Sequence, residues 1–302
     1  SITGYQMTKE QSLTSGEITT RTGWQRPFSD VKLRAPVISI HTLVVGVMVV
    51  GVLLPFAPLL LWSFAHRWLF PAALPTEWSL RAWTYVLSPS SQVWLAFWRS
   101  FVVATAVTLL SIPIGLMAGR AIGLYRFRGR TLVQFLILAP TIVPVLAVAM
   151  GIHVAFIRYG LADTLLGVIF VHLVPVTPYM ALIMSSVFAN YDTDYEDQAR
   201  SLGARPAQVW RYVMLPAVWP GLMVGSLFAF IISWSQYLLT LLIGGGQVIT
   251  LPVLLFSFAN SGDNAITAAL SLVFIAPAIL ILLLTARYLS GKGAAFGSFG
   301  RL

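Results

Sequence analysis

Long uncharged stretches alternate with short charged ones along this chain. Residues 35 to 66, 100 to 119, 131 to 157, 164 to 191, 212 to 262 and 264 to 286 contain no Asp, Glu, Lys or Arg. A hydrocarbon core about 30 Å thick takes roughly 20 helical residues to cross, so each stretch is long enough to span it. The second extends back past Arg99 toward Val93. The window 212 to 262 has room for two crossings, and one complete crossing is expected in it. Pro216 and Pro220 set its start, Gly244-Gly245-Gly246 interrupts it, and Leu251 to Phe258 is a short apolar run suited to an interfacial or re-entrant piece. The pattern predicts an all-α integral membrane protein with about six transmembrane helices. A seventh crossing is the alternative, and it would place the C-terminus outside.

Composition agrees with the pattern. Of 302 residues, 58% are hydrophobic and 10% charged, and the mean hydropathy is +0.83. Those values exclude a water-soluble domain. Cytoplasmic loops near span ends retain Lys and Arg, which sets the orientation. With the N-terminus inside, the inner segments carry Lys9, Arg21, Arg26, Lys32 and Arg34, then Arg120, Arg126, Arg128 and Arg130, then Arg200, Arg205 and Arg211, and finally Arg287, Lys292 and Arg301. Only Arg67, Arg81, Arg99 and Arg158 remain for the outer side. Both termini are therefore expected in the cytoplasm. Trp62, Trp68, Trp78, Trp83, Trp94 and Trp98 cluster around the first outer loop, at the headgroup depth that indole rings favour. The net charge of +9 follows from this topology and needs no nucleic-acid partner. The chain has no cysteine, which excludes disulfides, thiolate metal sites and cysteine nucleophiles. The expected organisation is a cytoplasmic tail over 1–34, amphipathic around Trp24 and Phe28, a membrane domain over 35–289, and a cytoplasmic tail over 290–302.

The most informative charged segment is 192–216. Asp192, Asp194, Glu196 and Asp197 precede or open a short helix, placing negative charge at the positive end of its dipole. Glu196 and Arg200 stand at i and i+4, as a surface pair worth about 0.2–0.5 kcal/mol. Gly203 supplies a left-handed turn, Pro206 suits the first turn of a second helix, and Pro216 is expected to end it. A rigid helix-turn-helix standing off the membrane results, presenting Ala199, Leu202 and their neighbours to a partner.

The spacing of this segment resembles the EAA loop of type I ABC importer permeases. Asp197-Gln198-Ala199 is followed after three residues by Gly203, after nine more by Val213, and after one more by Leu215-Pro216. Ala199, Gly203, Leu215 and Pro216 match the loop, Asp197 and Val213 replace similar residues, and Gln198 departs from the usual alanine. Leu138-Ala139-Pro140, Ile142-Val143-Pro144 and Pro220-Gly221-Leu222 also resemble that family, so the likeness runs from about Trp98 to Pro277. Among these, it resembles the spermidine/putrescine-type permeases.

The resemblance implies the type I ABC importer permease fold, a bacterial inner-membrane location, and no catalytic residue, cofactor or metal in this chain. ATP and magnesium would belong to two partner ATPase subunits. A second permease, forming a heterodimer, and an external binding protein would complete the importer, in contact with membrane lipid and without nucleic acid. It also implies ATPase coupling by Glu196, Asp197, Gln198, Ala199, Leu202, Gly203, Leu215 and Pro216, which would drive alternating access. The solute class would be polyamine, phosphonate, thiamine or iron. The scarcity of acidic residues on the outer side, limited to Glu77, Asp163 and Asp263, counts against a polycation.

Polar side chains within spans are costly and point to function. Ser233, Ser235, Gln236 and Tyr237 form one such group, and Ser233, Gln236 and Tyr237 share a helix face that could line a pathway. Hydrogen bonding between helices is the equal alternative for them. His153 and His172 are read as interfacial or satisfied packing residues. Pro140 with Pro144, and Pro175 with Pro178, are expected to kink the third and fourth helices near the pathway or at a packed interface. Gly244 to Gly246 reads as an outer hinge. An ion-coupled secondary transporter would need inverted repeats and a mid-membrane acid, and neither is found. An intramembrane hydrolase would need a GxSxG or HExxH motif, and both are missing.

Overall fold

The computed structural model describes residues 40–68, 71–72 and 74–296. The expected tail over 1–34, with its amphipathic part around Trp24 and Phe28, and the last six residues of the C-terminal tail lie outside the described residues. Two compact units divide after Val50. Among the described residues the first contributes only the start of one helix, and everything else below lies in the second.

Helices α1 (Ile40–Leu53) and α2 (Phe56–Ser63) form the first apolar stretch, interrupted at Leu54-Pro55. Next comes a two-stranded antiparallel ribbon, β1 (Ala65–Arg67) with β2 (Glu77–Trp78), which places Ala65 opposite Trp78. The uncharged-window pattern gave no sign of it, because so short a ribbon has no periodicity to read. Helix α3 (Arg81–Leu87) leads to α4 (Val93–Leu124), whose start at Val93 agrees with the backward extension expected past Arg99. The third stretch is α5 (Arg130–Ile142) and α6 (Val145–Arg158), and the fourth is α7 (Leu165–Ala189). The charged segment holds α8 (Asp194–Ser201), α9 (Pro206–Val209) and a π-helical turn, Trp210–Met214. Then come α10 (Leu215–Trp234), α11 (Leu238–Gly244), α12 (Leu251–Ser261) and α13 (Asn264–Phe296). Among the described residues, five helical stretches are long and apolar enough to cross a membrane, and six if α5 with α6 counts as one.

Three expectations are refined by this arrangement. The third stretch turns by 99° between α5 and α6. Pro144 caps α6, and the preceding residue, Val143, is extended at ψ 139°, as a residue before proline prefers. Pro140 lies inside α5, and α7 stays one helix through Pro175 and Pro178. Second, Pro216 does not end the helix that precedes it: the apolar helix runs from Pro206 to Trp234 without interruption. The π-helical turn changes the hydrogen-bond register immediately before Pro216, where a missing N–H costs least. Third, the crossing in the window 212–262 stops at Trp234, ten residues short of the glycines. The short α11 and the 11-residue α12 follow, and α12 is too short to cross.

The tightest packing joins α4, α7 and α10. Within lipid, helices associate through close van der Waals approach, so small residues at contacts decide where they meet. Gly115, Gly119 and Gly123 form a stripe on α4 against Met180, Met184 and Phe188 of α7. A methyl group at Gly119 would meet the Met184 carbonyl carbon at 2.7 Å. Gly225 of α10 similarly leaves 2.6 Å to the Met180 sulfur. Leu116, Met180, Met184, Phe188, Met214, Val218 and Leu222 make the core at this end of the bundle. At the other end Trp234 stacks between Phe230 and Phe274, each at 5.8 Å. Its indole N–H donates to the Phe274 carbonyl at 3.0 Å, tying α10 to α13.

Candidate functional site

Local sequence explains the shape of the charged segment. The Asp194 N–H donates to Asp192 Oδ1 at 2.9 Å, and Asp194, Glu196 and Asp197 lie in the first turn of α8, where carboxylates favour the helix dipole. Gly203 adopts φ +85°, the left-handed conformation that glycine takes without penalty. Its N–H donates to Arg200 O at 2.9 Å while the Ala204 N–H donates to Ala199 O at 3.0 Å, the paired bonds of a Schellman termination. Pro206 then opens α9, and the Gln208 side chain accepts from the Arg205 N–H at 2.7 Å. The segment is a closed helix-turn-helix whose turn is held by its own backbone.

Glu196 keeps the expected i, i+4 pairing with Arg200, but not at the surface. It is buried, 2% exposed, and accepts from Arg120 at the end of α4 through both carboxylate oxygens, each at 2.9 Å. Arg200 adds a bond to Glu196 Oε2 at 2.8 Å and one to Asp197 Oδ1 at 2.7 Å. The Arg120 guanidinium also lies 6.0 Å from the centre of the Phe188 ring. Burial alone pushes the Glu196 carboxyl up, but the hydrogen bonds and charge of Arg120, aided by Tyr191 and Arg200, outweigh it and hold the group below the usual glutamate value. The Tyr191 hydroxyl, buried beside this carboxylate without a well-aligned partner, is pushed up to about 12, first by burial and then by the Glu196 charge. No i, i+4 pattern shows this contact, because Arg120 is 76 residues away in sequence.

The opposite face of the helix-turn-helix is open. Leu202 is 89% exposed at its tip, and Tyr195 on α8 and Tyr212 on the second arm are exposed as well, while the half-exposed Trp210 lies on the α4 side beside Met117 and Arg120. Asp197, Gln198 and Gly203 are exposed as well, and Ala199 is half-buried. Leu215 packs partly onto the core of Met180, Met184 and Phe188, and Pro216 is exposed. Of the residues singled out in this segment, Glu196 therefore faces inward, and Asp197, Gln198, Leu202 and Gly203 face outward.

The intramembrane polar group divides at the end of α10. Ser233 is buried and its hydroxyl meets His172 Nδ1 at 3.0 Å, while His172 Nε2 meets the Thr240 hydroxyl at 2.9 Å. The Thr240 hydroxyl donates to the Gln236 carbonyl at 2.9 Å, so it accepts from His172 Nε2–H, and the Nδ1 lone pair accepts from Ser233. This chain joins α7, α10 and α11, which is the helix-to-helix alternative for Ser233. Because α10 stops at Trp234, Gln236 and Tyr237 do not continue the helix face expected to run from Ser233. Both are half-buried, and Tyr237 stacks on Phe256 of α12 at 4.2 Å. His172 is thus a satisfied packing histidine. His153, in α6, keeps a buried Nδ1 without a hydrogen-bond partner among the described residues. At Gly245, φ +50°, the backbone lies against the Asp163 carboxylate so closely that any side chain would collide with it. Sequence reasoning missed Arg120, Tyr191 and Thr240. Only the position of Arg120, charged at the inner end of an apolar helix, could have drawn notice.

Comparison with known proteins agrees with this architecture. The family model described as binding-protein-dependent transport system inner membrane component matches residues 111–291. A Salmonella typhimurium protein named for a 2-aminoethylphosphonate transport system permease, PhnV, is 28% identical over 232 residues, covering 76% of this chain and 86% of its own. The molybdenum transport system permease protein ModB of Mycobacterium tuberculosis is 32% identical, covering 70% and 84%. Among solved structures, a bacterial ABC transporter involved in import of the acidic polysaccharide alginate superposes with a TM-score of 0.65 at 18% identity, covering 82% of this chain and 95% of that one.

Proposed function

Because this chain belongs to the binding-protein-dependent transport system inner membrane components, and so is a multi-pass permease subunit of an ABC importer and not an enzyme, we propose that its 192–216 segment receives the motion of a separate ATPase. Membership sets aside the ion-coupled and hydrolase alternatives. The observation that carries the proposal is the exposed tip: an 89% exposed Leu202, with an exposed Tyr195 on the same short helix, on a turn locked by Gly203. Apolar side chains so exposed on a rigid element outside the spans suit a groove on a partner protein.

In this reading, Asp197, Gln198, Ala199 and Leu202 enter the ATPase, Gly203 keeps the turn shape, and Glu196, Leu215 and Pro216 connect the element to the bundle. ATP-driven closure of two ATPases would push two such elements, one from this chain and one from a second permease. The paired spans would then alternate between inward-open and outward-open, taking solute from an external binding protein. The segment and both termini lie on the cytoplasmic side. Gln236 and Tyr237, at the break between α10 and α11, are the side chains nearest to a pathway role, and Ser233 supports them through His172.

For the solute, the proposal favours a small anion or zwitterion over a polyamine. The described spans contain no Asp or Glu, and two of the named relatives are named for phosphonate and molybdenum transport. The coupling proposal is tested by purifying the chain with its co-purifying ATPase. Gly203→Pro and Ala199→Asp should each lose that ATPase and solute uptake. Normal retention and uptake in both variants would overturn it.

A further inference from the structure

We propose that Arg120 is a positioning residue that fastens the coupling segment to α4, making α8 and the end of α4 one mechanical body. The inference rests on the coupling role proposed for 192–216 and names the residue pair through which that segment grips the spans.

Four observations converge on this pair. Arg120 meets Glu196 with two parallel bonds of 2.9 Å, the fork geometry that fixes orientation as well as distance. Glu196 is 3% exposed at its side chain and Arg120 25%, so the pair is largely removed from water and from salt screening. Arg120 also contacts the Met214 sulfur in the π-helical turn, so a single guanidinium touches both arms of the helix-turn-helix. Finally, α4 is committed to α7 by the Gly115, Gly119 and Gly123 stripe, which leaves no room for sliding between them. A push on the tip at Leu202 therefore meets a stiff chain: α8, Glu196, Arg120, α4, α7.

The covalent route from α8 to the spans is different. It passes the Gly203 turn and α9 into α10. Without Arg120, only that route and the short link from α7 through Tyr191 remain, and α8 could tilt on its turn while α4 stayed still. Arg200 cannot replace Arg120, because it stands on α8 itself and ties Glu196 only to its own helix.

The test uses the absence of native cysteine. Cysteines placed at Met117 on α4 and Ser201 on α8 carry spin labels, and pulsed electron resonance reads their separation in the complex with its co-purifying ATPase in lipid nanodiscs. The parent complex should give one narrow distance that is unchanged by ATP with vanadate. Arg120→Gln should lose the narrow distance and gain a nucleotide-dependent shift, with the ATPase still bound. Arg120→Lys should restore part of the narrow population, which a variant that merely disturbed folding would not do. A narrow, nucleotide-insensitive distance in Arg120→Gln would overturn the proposal. If the parent chain retains no ATPase, the coupling role of the segment fails instead. The clamp is then still judged by the nucleotide-free distances of the parent and Arg120→Gln.

Discussion

At single residues, the structure separates groups that look alike in sequence. Asp263 and Arg81 form an exposed ion pair at 2.8 Å, yet Asp263 also accepts from the Ile266 N–H at 3.1 Å, capping α13. Arg81→Ala should change stability by at most about 1 kcal/mol, whereas Asp263→Ala also removes a cap worth about 1 kcal/mol. Thermal unfolding in detergent should show Asp263→Ala as the more damaging of the two. Gly119 offers a sharper contrast. With 2.7 Å between an added methyl and the Met184 backbone, Gly119→Ala should cost about 1–3 kcal/mol by overpacking, while Gly129→Ala meets open space and pays only for its φ of +88°. His172→Ala would leave the Ser233 hydroxyl without its buried partner and should cost about 1–3 kcal/mol. An unchanged melting temperature for that variant would show that the hydrogen-bonded chain contributes nothing.

Among elements, the helix-turn-helix has one anchored face and one open face, and pH acts on the anchored one. The Glu196 carboxyl is held below its ordinary value, so its contribution to stability is fully present above the unfolded glutamate value of about 4.3. That contribution disappears only as pH falls through the lower folded value. Hydrogen exchange across 194–204 should therefore show no added opening of α8 from neutral pH to the ordinary glutamate range, and opening in stronger acid. In Glu196→Gln the opening should be present already at neutral pH. On the open face, Leu202→Asp should leave the unfolding free energy within about 0.5 kcal/mol of the parent, because a surface side chain touches little, and yet abolish retention of the ATPase. The break after Trp234 has a different cause. There α10 stops, a hydrogen-bonded chain holds the break to α7, and α11 and α12 fold back, stacking Tyr237 on Phe256.

At the scale of the whole molecule, the stretches among the described residues that can cross a membrane number five, or six with the bent α5 and α6 counted as one. The distribution of Lys and Arg gives a direct test of orientation. Single cysteines at Ser201 and at Ser90, in the parent chain without cysteine, should react with a membrane-impermeant maleimide from opposite sides, Ser90 from outside. Labelling of Ser201 in intact cells would reverse the topology.

The hydrophobic pattern determined most of this protein by itself. Span number, the start of α4 at Val93, the interruption at Gly244 to Gly246 and the short α12 all follow from a simple requirement: lipid admits only long apolar helices, and glycine and proline interrupt them. The helix-turn-helix was legible for a similar reason, because Gly203 and Pro206 act on their immediate neighbours. Tertiary structure decided what depends on distant residues. It buried Glu196 and added Arg120 to its expected partner Arg200, it stopped α10 at Trp234, and it carried a helix through Pro216 by way of a π-helical turn. Local sequence sets backbone preference and burial in lipid, but a hydrogen bond across 76 residues exists only once α4, α7 and α10 have packed.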